Sequence, residues 1–165
     1  MQAWFEEVSR RFVVAFITGD RWKLYIKGLG VTLEIAFFAA ILGLIIGTVI
    51  ALMKLSTKRN GKKTIWARIA NVYIDVIRGT PSVLQLLIMW FIIMSSCKNG
   101  MLVAVLSFGI NSGAYVAEIV RAGIMAVDKG QSEAGRSLGL SKAQTMIYII
   151  IPQAVKNVLP PIGNK

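Results

Sequence analysis

The sequence predicts an all-α integral membrane protein, with three transmembrane helices followed by a pair of short cytoplasmic helices. Three observations carry this. The 165 residues are 55% hydrophobic and only 16% charged, with mean hydropathy +0.63 and the apolar residues in long blocks, which is outside the habit of a soluble domain. The net charge is +11, yet the basic residues sit between the blocks, as in cytoplasmic loops. After the third block, helix-start and helix-stop signals follow at short spacing from Asp128 to Pro161. The sequence holds one cysteine, Cys97, and no histidine, so neither an internal disulfide nor the usual zinc or histidine chemistry is available. Cys97 is expected to be a membrane-buried thiol, and no cofactor is expected.

Residues 1–27 mix Trp4, Phe5, Phe12, Trp22 and Tyr25 with charges of both signs, which suits a membrane–water interface. Ser9-Arg10-Arg11-Phe12 faintly resembles a twin-arginine signal, but the apolar run to Ile17 is short for one. Residues 28–53 form the first span, with no charge between Ile35 and Met53, matching the ~20 residues a helix needs to cross the hydrocarbon. Ala39, Gly43, Gly47 and Ala51 recur every fourth residue and make a smooth stripe against which another backbone can pack. Lys54, Lys58, Arg59, Lys62 and Lys63 then hold the loop on the cytoplasmic side. The first span therefore runs inward.

Residues 64–97 are an amphipathic lead-in helix that bends at Gly79-Thr80-Pro81 and continues outward as the second span. Thr64, Arg68, Asn71, Asp75 and Arg78 share one stripe of the lead-in. Asp75 and Arg78 are spaced to pair; alternatively Arg78, beside a broken helix, faces a polar pathway. Residues 99–125 are the third span. Asn111, Tyr115 and Glu118 share a polar face, with Ser107 and Ser112 also in the span, and Gly109, Gly113 and Ala117 lie opposite. Polar groups at that depth serve either an interhelical hydrogen-bond network or a substrate or water pathway. Glu118 and Arg121 are spaced to pair near the inner surface.

Residues 126–165 return to the cytoplasm. Asp128 with Gln131, and Ser141 with Gln144, have capping-box spacing. Gly139 falls between the two helices, where a left-handed residue closes the first. Pro152 is expected to end or kink the second, having no N–H to give. Two short helices held at an angle make a rigid knob.

The knob resembles the EAA motif of the membrane subunits of ABC importers, written E-A-A, three residues, G, nine residues, I-x-L-P. Glu133, Ala134, Gly139, Ile149 and Pro152 are in register, with Gly135 for the third alanine and Ile151 for the leucine. The blocks from Tyr73 to Pro81, from Asn111 to Gly123 and from Gly130 to Gly139 are similar to the polar amino acid branch of that family. The resemblance runs from about Gly28 to Asn164. It implies a type I ABC importer permease-like helical bundle in the bacterial cell membrane, surrounded by lipid and paired with a second permease subunit. It further implies a separate ABC ATPase subunit, an extracytoplasmic substrate-binding protein and an amino acid substrate. The resemblance assigns Glu133, Ala134, Gly135, Gly139, Ser141 and Pro152 to docking on the ATPase. Arg78, Asn111, Ser112, Tyr115 and Glu118 are the candidates for the substrate path. Family members continue past this loop with further spans, usually two, so a C-terminally truncated permease is expected.

Two other readings attach to the same residues. The Ala134–Thr145 segment with its Leu138–Ser141 corner has the outline of a helix-turn-helix in a basic chain. A DNA-reading helix exposes polar side chains after the turn, whereas Met146–Ile151 is apolar, and no nucleic-acid partner is expected. The other is a membrane channel or adaptor that needs no ATPase.

Overall fold

The computed structural model describes residues 1–56 and 64–164, and among them every regular element is helical. Lys58, Arg59, Lys62 and Lys63 of the expected basic loop lie outside the described residues. Two compact units divide the chain after Phe37.

In the first unit, α1 (Gln2–Phe12) carries Glu7 in ion pairs with Arg10 at 2.5 Å and Arg11 at 2.8 Å. A π-helical turn (Val13–Ile17) and a short 3₁₀ turn (Thr18–Asp20) lead into α2 (Arg21–Leu55), which thus begins ahead of Gly28. The break needs Gly19 at φ +66 and Asp20 at φ +58, a conformation aspartate tolerates better than most side chains. Phe16 stacks between Phe12 and Tyr25, with ring centroids 4.9 and 5.0 Å away, and the Arg21 guanidinium donates to the Val14 carbonyl at 3.1 Å. These contacts tie the start of α2 to the turn that precedes it.

The second unit is a bundle around α5 (Gly100–Met125). The residues of α2 that are buried are Ala39, Gly43, Gly47 and Ala51, so the small-residue stripe is a packing face, as its period requires. A Cβ on Gly47 would sit 2.6 Å from Val116 Cβ and 2.8 Å from the Gly113 carbonyl oxygen. In return, a Cβ on Gly113 would sit 2.8 Å from Ile46 Cγ2. Each helix therefore provides gaps for the other's side chains, and the backbones approach closely.

Helix α3 (Ile65–Gly79) starts at Thr64, whose hydroxyl accepts from the Ala67 N–H at 3.2 Å. It buries Ala67, Ala70 and Ile74, an apolar face distinct from both its polar stripe and its outward Trp66, Ile69 and Val76. Ile74 meets Ala51 of α2 and Ala117 of α5 in the buried core. After Thr80-Pro81 comes α4 (Ser82–Ile88), extended by a π-helical turn (Met89–Ile93). The chain bends by 105° between the two arms of this broken helix, a corner much sharper than the kink of a proline alone. Trp4–Leu55 and Gly100–Met125 are long and apolar enough to cross a membrane, and the bent pair makes a third span if its arms count together. Cys97 lies in the turn before α5, half-buried, not within a span.

The C-terminal segment comprises α6 (Lys129–Ser137), α7 (Lys142–Thr145), a π-helical turn (Met146–Ile150) and α8 (Ile151–Gly163). Pro152 does not stop the helix. The preceding turn bonds from i to i+5, with Ile151 N–H on the Met146 carbonyl, and this wider loop brings the chain past a residue that has no N–H. Pro152 then occupies the first turn of α8, where its missing donor costs nothing. α8 packs on the C-terminal end of α5: a Cβ on Gly123 would fall 2.2 Å from Val158 Cγ2, and Asn157 Nδ2 donates to the Gly123 carbonyl at 3.4 Å.

Candidate functional site

Breaking a helix inside a membrane leaves backbone carbonyls that must find donors, because lipid offers none. The α3–α4 corner meets that demand with one side chain. Gln85 Nε2 donates to the Ile77 carbonyl at 2.7 Å and to Thr80 Oγ1 at 2.6 Å, with the Thr80 carbonyl at 3.2 Å. Thr80 Oγ1 in turn donates to the Val76 carbonyl at 3.0 Å. On its other side Gln85 Oε1 accepts from Asn111 Nδ2 of α5 at 3.0 Å. Gln85 was not among the residues the sequence singled out. Its signal is that it is the one polar residue between Ser82 and Met94, a turn beyond the proline.

Arg78, at the end of α3, lies with its guanidinium 5.1 Å from the centroid of the Tyr115 ring on α5, within the range of a cation–π contact. Among the described residues Arg78 makes no ion pair with Asp75. The three-residue spacing allows that pair, but Tyr115 on the neighbouring helix takes the guanidinium. Tyr73 adds a third link from α3 to α5, its hydroxyl donating to the Ile110 carbonyl at 2.6 Å. Asn111 and Tyr115 thus face α3 and α4. Ser112 instead packs beneath Gly43 of α2, where an added Cβ would come within 2.8 Å of its own. Ser107 is buried, and its hydroxyl has no partner among the described residues.

Glu118 lies toward the C-terminal end of α5 and joins it to the end of α2. Its carboxylate pairs with Lys54 of α2 on one oxygen and with Arg121 at 2.9 Å on the other. The three side chains are 19–28% exposed, so they are partly desolvated and each depends on the others for compensation. The expected Glu118–Arg121 pair is present, with Lys54 as a further partner from a distant part of the chain.

The knob is built as a closed unit. Gly139 has φ +84, with its N–H on the Arg136 carbonyl at 3.0 Å and the Leu140 N–H on the Gly135 carbonyl at 3.1 Å. This is the paired hydrogen bonding of a Schellman ending. Ser141 and Gln144 form a complete capping box. The Asp128 cap is simpler than its spacing suggested. Its carboxylate accepts from Gly130 N–H at 2.6 Å, while the Gln131 side chain accepts from Gln153 Nε2 at 3.2 Å instead of closing a box. Gly135 faces inward: an added Cβ would stand 2.8 Å from Ile149 Cδ1 and 2.9 Å from Thr145 Cγ2. It therefore holds the two helices together and is not exposed to a partner. Glu133, Ala134, Gly139, Ser141 and Pro152 are exposed, and Leu138 at the corner is 81% exposed.

Residues 43–165 match the family described as binding-protein-dependent transport system inner membrane component. The chain is 45% identical over 143 residues to the arginine transport system permease protein ArtQ of Bacillus subtilis (strain 168), covering 85% of this chain and 63% of that protein. It is 42% identical over 143 residues, with the same coverages, to the putative glutamine transport system permease protein GlnP of Rickettsia prowazekii. Against the glutamine transport system permease protein GlnP of Escherichia coli (strain K12) it is 40% identical over 146 residues, covering 86% and 64%. The chain thus spans less than two thirds of the length of these curated relatives. Among solved structures, an amino acid ABC transporter crystallised with histidines superposes with a TM-score of 0.74 at 46% identity, over 86% of this chain and 65% of that one. The inward-facing MetNI methionine ABC transporter also gives 0.74, at 17% identity over 88% and 69%, and shows the fold alone. With a match over most of its length and a bundle of this fold, the chain belongs to the binding-protein-dependent transport system inner membrane component family.

Proposed function

We propose that this chain is a membrane subunit of an ATP-driven importer for polar amino acids, and that its helix–glycine–helix knob is the point of coupling to a separate ATPase. The knob carries the proposal. Its two helices are locked to each other by the Schellman ending, the Ser141 box and the close contact at Gly135, while Leu138 stands 81% exposed at the corner. An exposed apolar tip on a stiff support suits docking into a groove whose movement must reach the spans undamped. Glu133 and Ala134 flank that tip, Gly139 and Ser141 hold its shape, and Pro152 lies in the first turn of α8. The sequence has no G-x-x-x-x-G-K-[ST] phosphate loop, so ATP hydrolysis falls to another subunit.

The substrate class rests on the relatives, which are named for arginine and glutamine transport, and on a solved amino acid transporter. Arg78, Asn111 and Tyr115 are the residues we assign to the path. Ser112 and Glu118 we assign to holding α2 on α5. A second permease subunit completes the path, an extracytoplasmic binding protein delivers the amino acid, and residues 1–27 rest at the membrane interface.

The test uses membrane vesicles in which the chain is co-expressed with an ABC ATPase subunit and an extracytoplasmic amino acid-binding protein from the same organism. We expect ATP-dependent uptake of at least one of arginine, glutamine and histidine. Leu138→Glu is expected to lower uptake and stimulated ATPase about tenfold or more, as loss of a buried apolar anchor does, with unchanged thermal unfolding. No uptake of any of these solutes by the unmodified assembly refutes the importer reading. Unchanged coupling in Leu138→Glu refutes the docking role.

A further inference from the structure

We propose that Gln85 is a positioning residue: it locks the α3–α4 corner and orients the Asn111 carboxamide so that Asn111 Oδ1 is the free acceptor, suited to an N–H donor on the transported solute. This rests on the importer reading above and extends it to a residue and an atom.

The argument is one of direction. The Ile77 carbonyl can only accept, so the Gln85 atom 2.7 Å from it must be the amide nitrogen. Thr80 Oγ1 spends its single proton on the Val76 carbonyl and therefore also accepts from Gln85. Both N–H groups of Gln85 are then committed to the corner. Its oxygen is left to face α5, and only a donor can meet it. Asn111 must turn its nitrogen toward Gln85, as it does at 3.0 Å. The chain of donors runs one way, from Asn111 through Gln85 and Thr80 to Val76, and reversing any amide would set two like atoms against each other. The backbone of a broken helix thus fixes the orientation of a side chain on another helix.

Asn111 Oδ1 has no hydrogen-bond partner among the described residues, and Asn111 is half-buried. A carboxamide oxygen in that setting recognises an ammonium, guanidinium or amide N–H and has nothing to offer a carboxylate. The face it shares with Tyr115 carries the guanidinium of Arg78, which supplies the opposite preference. The two groups would read the two ends of a zwitterion.

The experiment combines a structural and a kinetic measurement on the assembled transporter. Spin labels at Val72 and Ile92, both outward-facing on the two arms of the corner, report the bend. Gln85→Leu is expected to broaden a single narrow distance into a wide or shifted distribution. An unchanged distribution overturns the lock. In uptake assays with arginine, Gln85→Leu and Asn111→Leu are each expected to raise KM about tenfold, the scale of one hydrogen bond to a charged group, with kcat within about twofold. Because both act through the same oxygen, the double variant is expected to be no worse than either single one. Multiplying effects, or a fall in kcat at constant KM, overturns the orienting role. Should the unmodified assembly transport nothing, the importer reading fails by itself, and the spin-label distances still decide whether Gln85 locks the corner.

Discussion

Replacing Gly47 by alanine adds one methyl group to the tightest part of the α2–α5 contact. That carbon would lie 2.6 Å from Val116 Cβ and Cγ1 and 2.8 Å from the Gly113 carbonyl oxygen. Unstrained carbon contacts begin at about 3.5 Å, so the overlap is roughly 1 Å. A new rotamer of Val116 cannot relieve it, because the Cβ does not move with χ1 and the Gly113 oxygen belongs to the backbone. The helices must separate, and the contacts at Gly43 and Ala51 loosen with them. Overpacking of this kind costs about 1–3 kcal/mol, or about a 5- to 150-fold drop in the folding equilibrium constant. Gly28→Ala is the control in the same helix: its added carbon meets nothing within 4 Å, and the change should be neutral or stabilise by about 0.5–1 kcal/mol through helix propensity. The assay is unfolding in mixed micelles titrated with a denaturing detergent and followed by tryptophan fluorescence. Adding Val116→Ala to Gly47→Ala should recover part of the loss but not all, since the Gly113 oxygen remains. Gly47→Ala within about 0.5 kcal/mol of the parent would refute the close approach of the two helices.

Two further predictions concern the Glu118 cluster and the knob. Glu118→Gln leaves the Lys54 ammonium and the Arg121 guanidinium without their counter-ion; we expect a loss of about 1–3 kcal/mol in the same assay, below the figure for fully buried pairs because the side chains retain some solvent. A variant as stable as the parent would show that the triad is fully screened. Gly139→Pro cannot reach φ +84 and deletes the N–H on the Arg136 carbonyl, so ATP-driven uptake should vanish. Gly139→Asn, which tolerates the left-handed region, should keep most of it. Equal uptake in the two variants would count against a stiff coupler.

Where a residue's environment depends on neighbours in the same helix, it was legible from spacing. The four-residue recurrence of Ala39, Gly43, Gly47 and Ala51 specified a packing face before its partner was known. The Gly139 corner and the Ser141–Gln144 box follow from local hydrogen-bonding chemistry alone. Glu118 with Arg121 was legible for the same reason. Asp75 with Arg78 has the same spacing and does not pair, because Tyr115 of α5 takes the guanidinium. Pro152 was legible as a disruption but not as a tolerated one, since its tolerance depends on the π-helical turn before it. Gln85 is in sequence only a lone amide in an apolar run. Its role appears only when the 105° corner brings the Ile77 and Thr80 carbonyls within its reach.

The sequence by itself determined the membrane class, the helical faces and the knob, because hydropathy, periodicity and capping act over a single turn or a single span. Only the tertiary structure decided which partner each polar group takes. Asn111, Arg78, Lys54 and Glu118 each meet a group from another helix, 26 residues away in the Asn111–Gln85 hydrogen bond and 64 in the Lys54–Glu118 one. A hydrogen bond acts over about 3 Å, and distances between helices that far apart in sequence are set by how the small-residue faces pack.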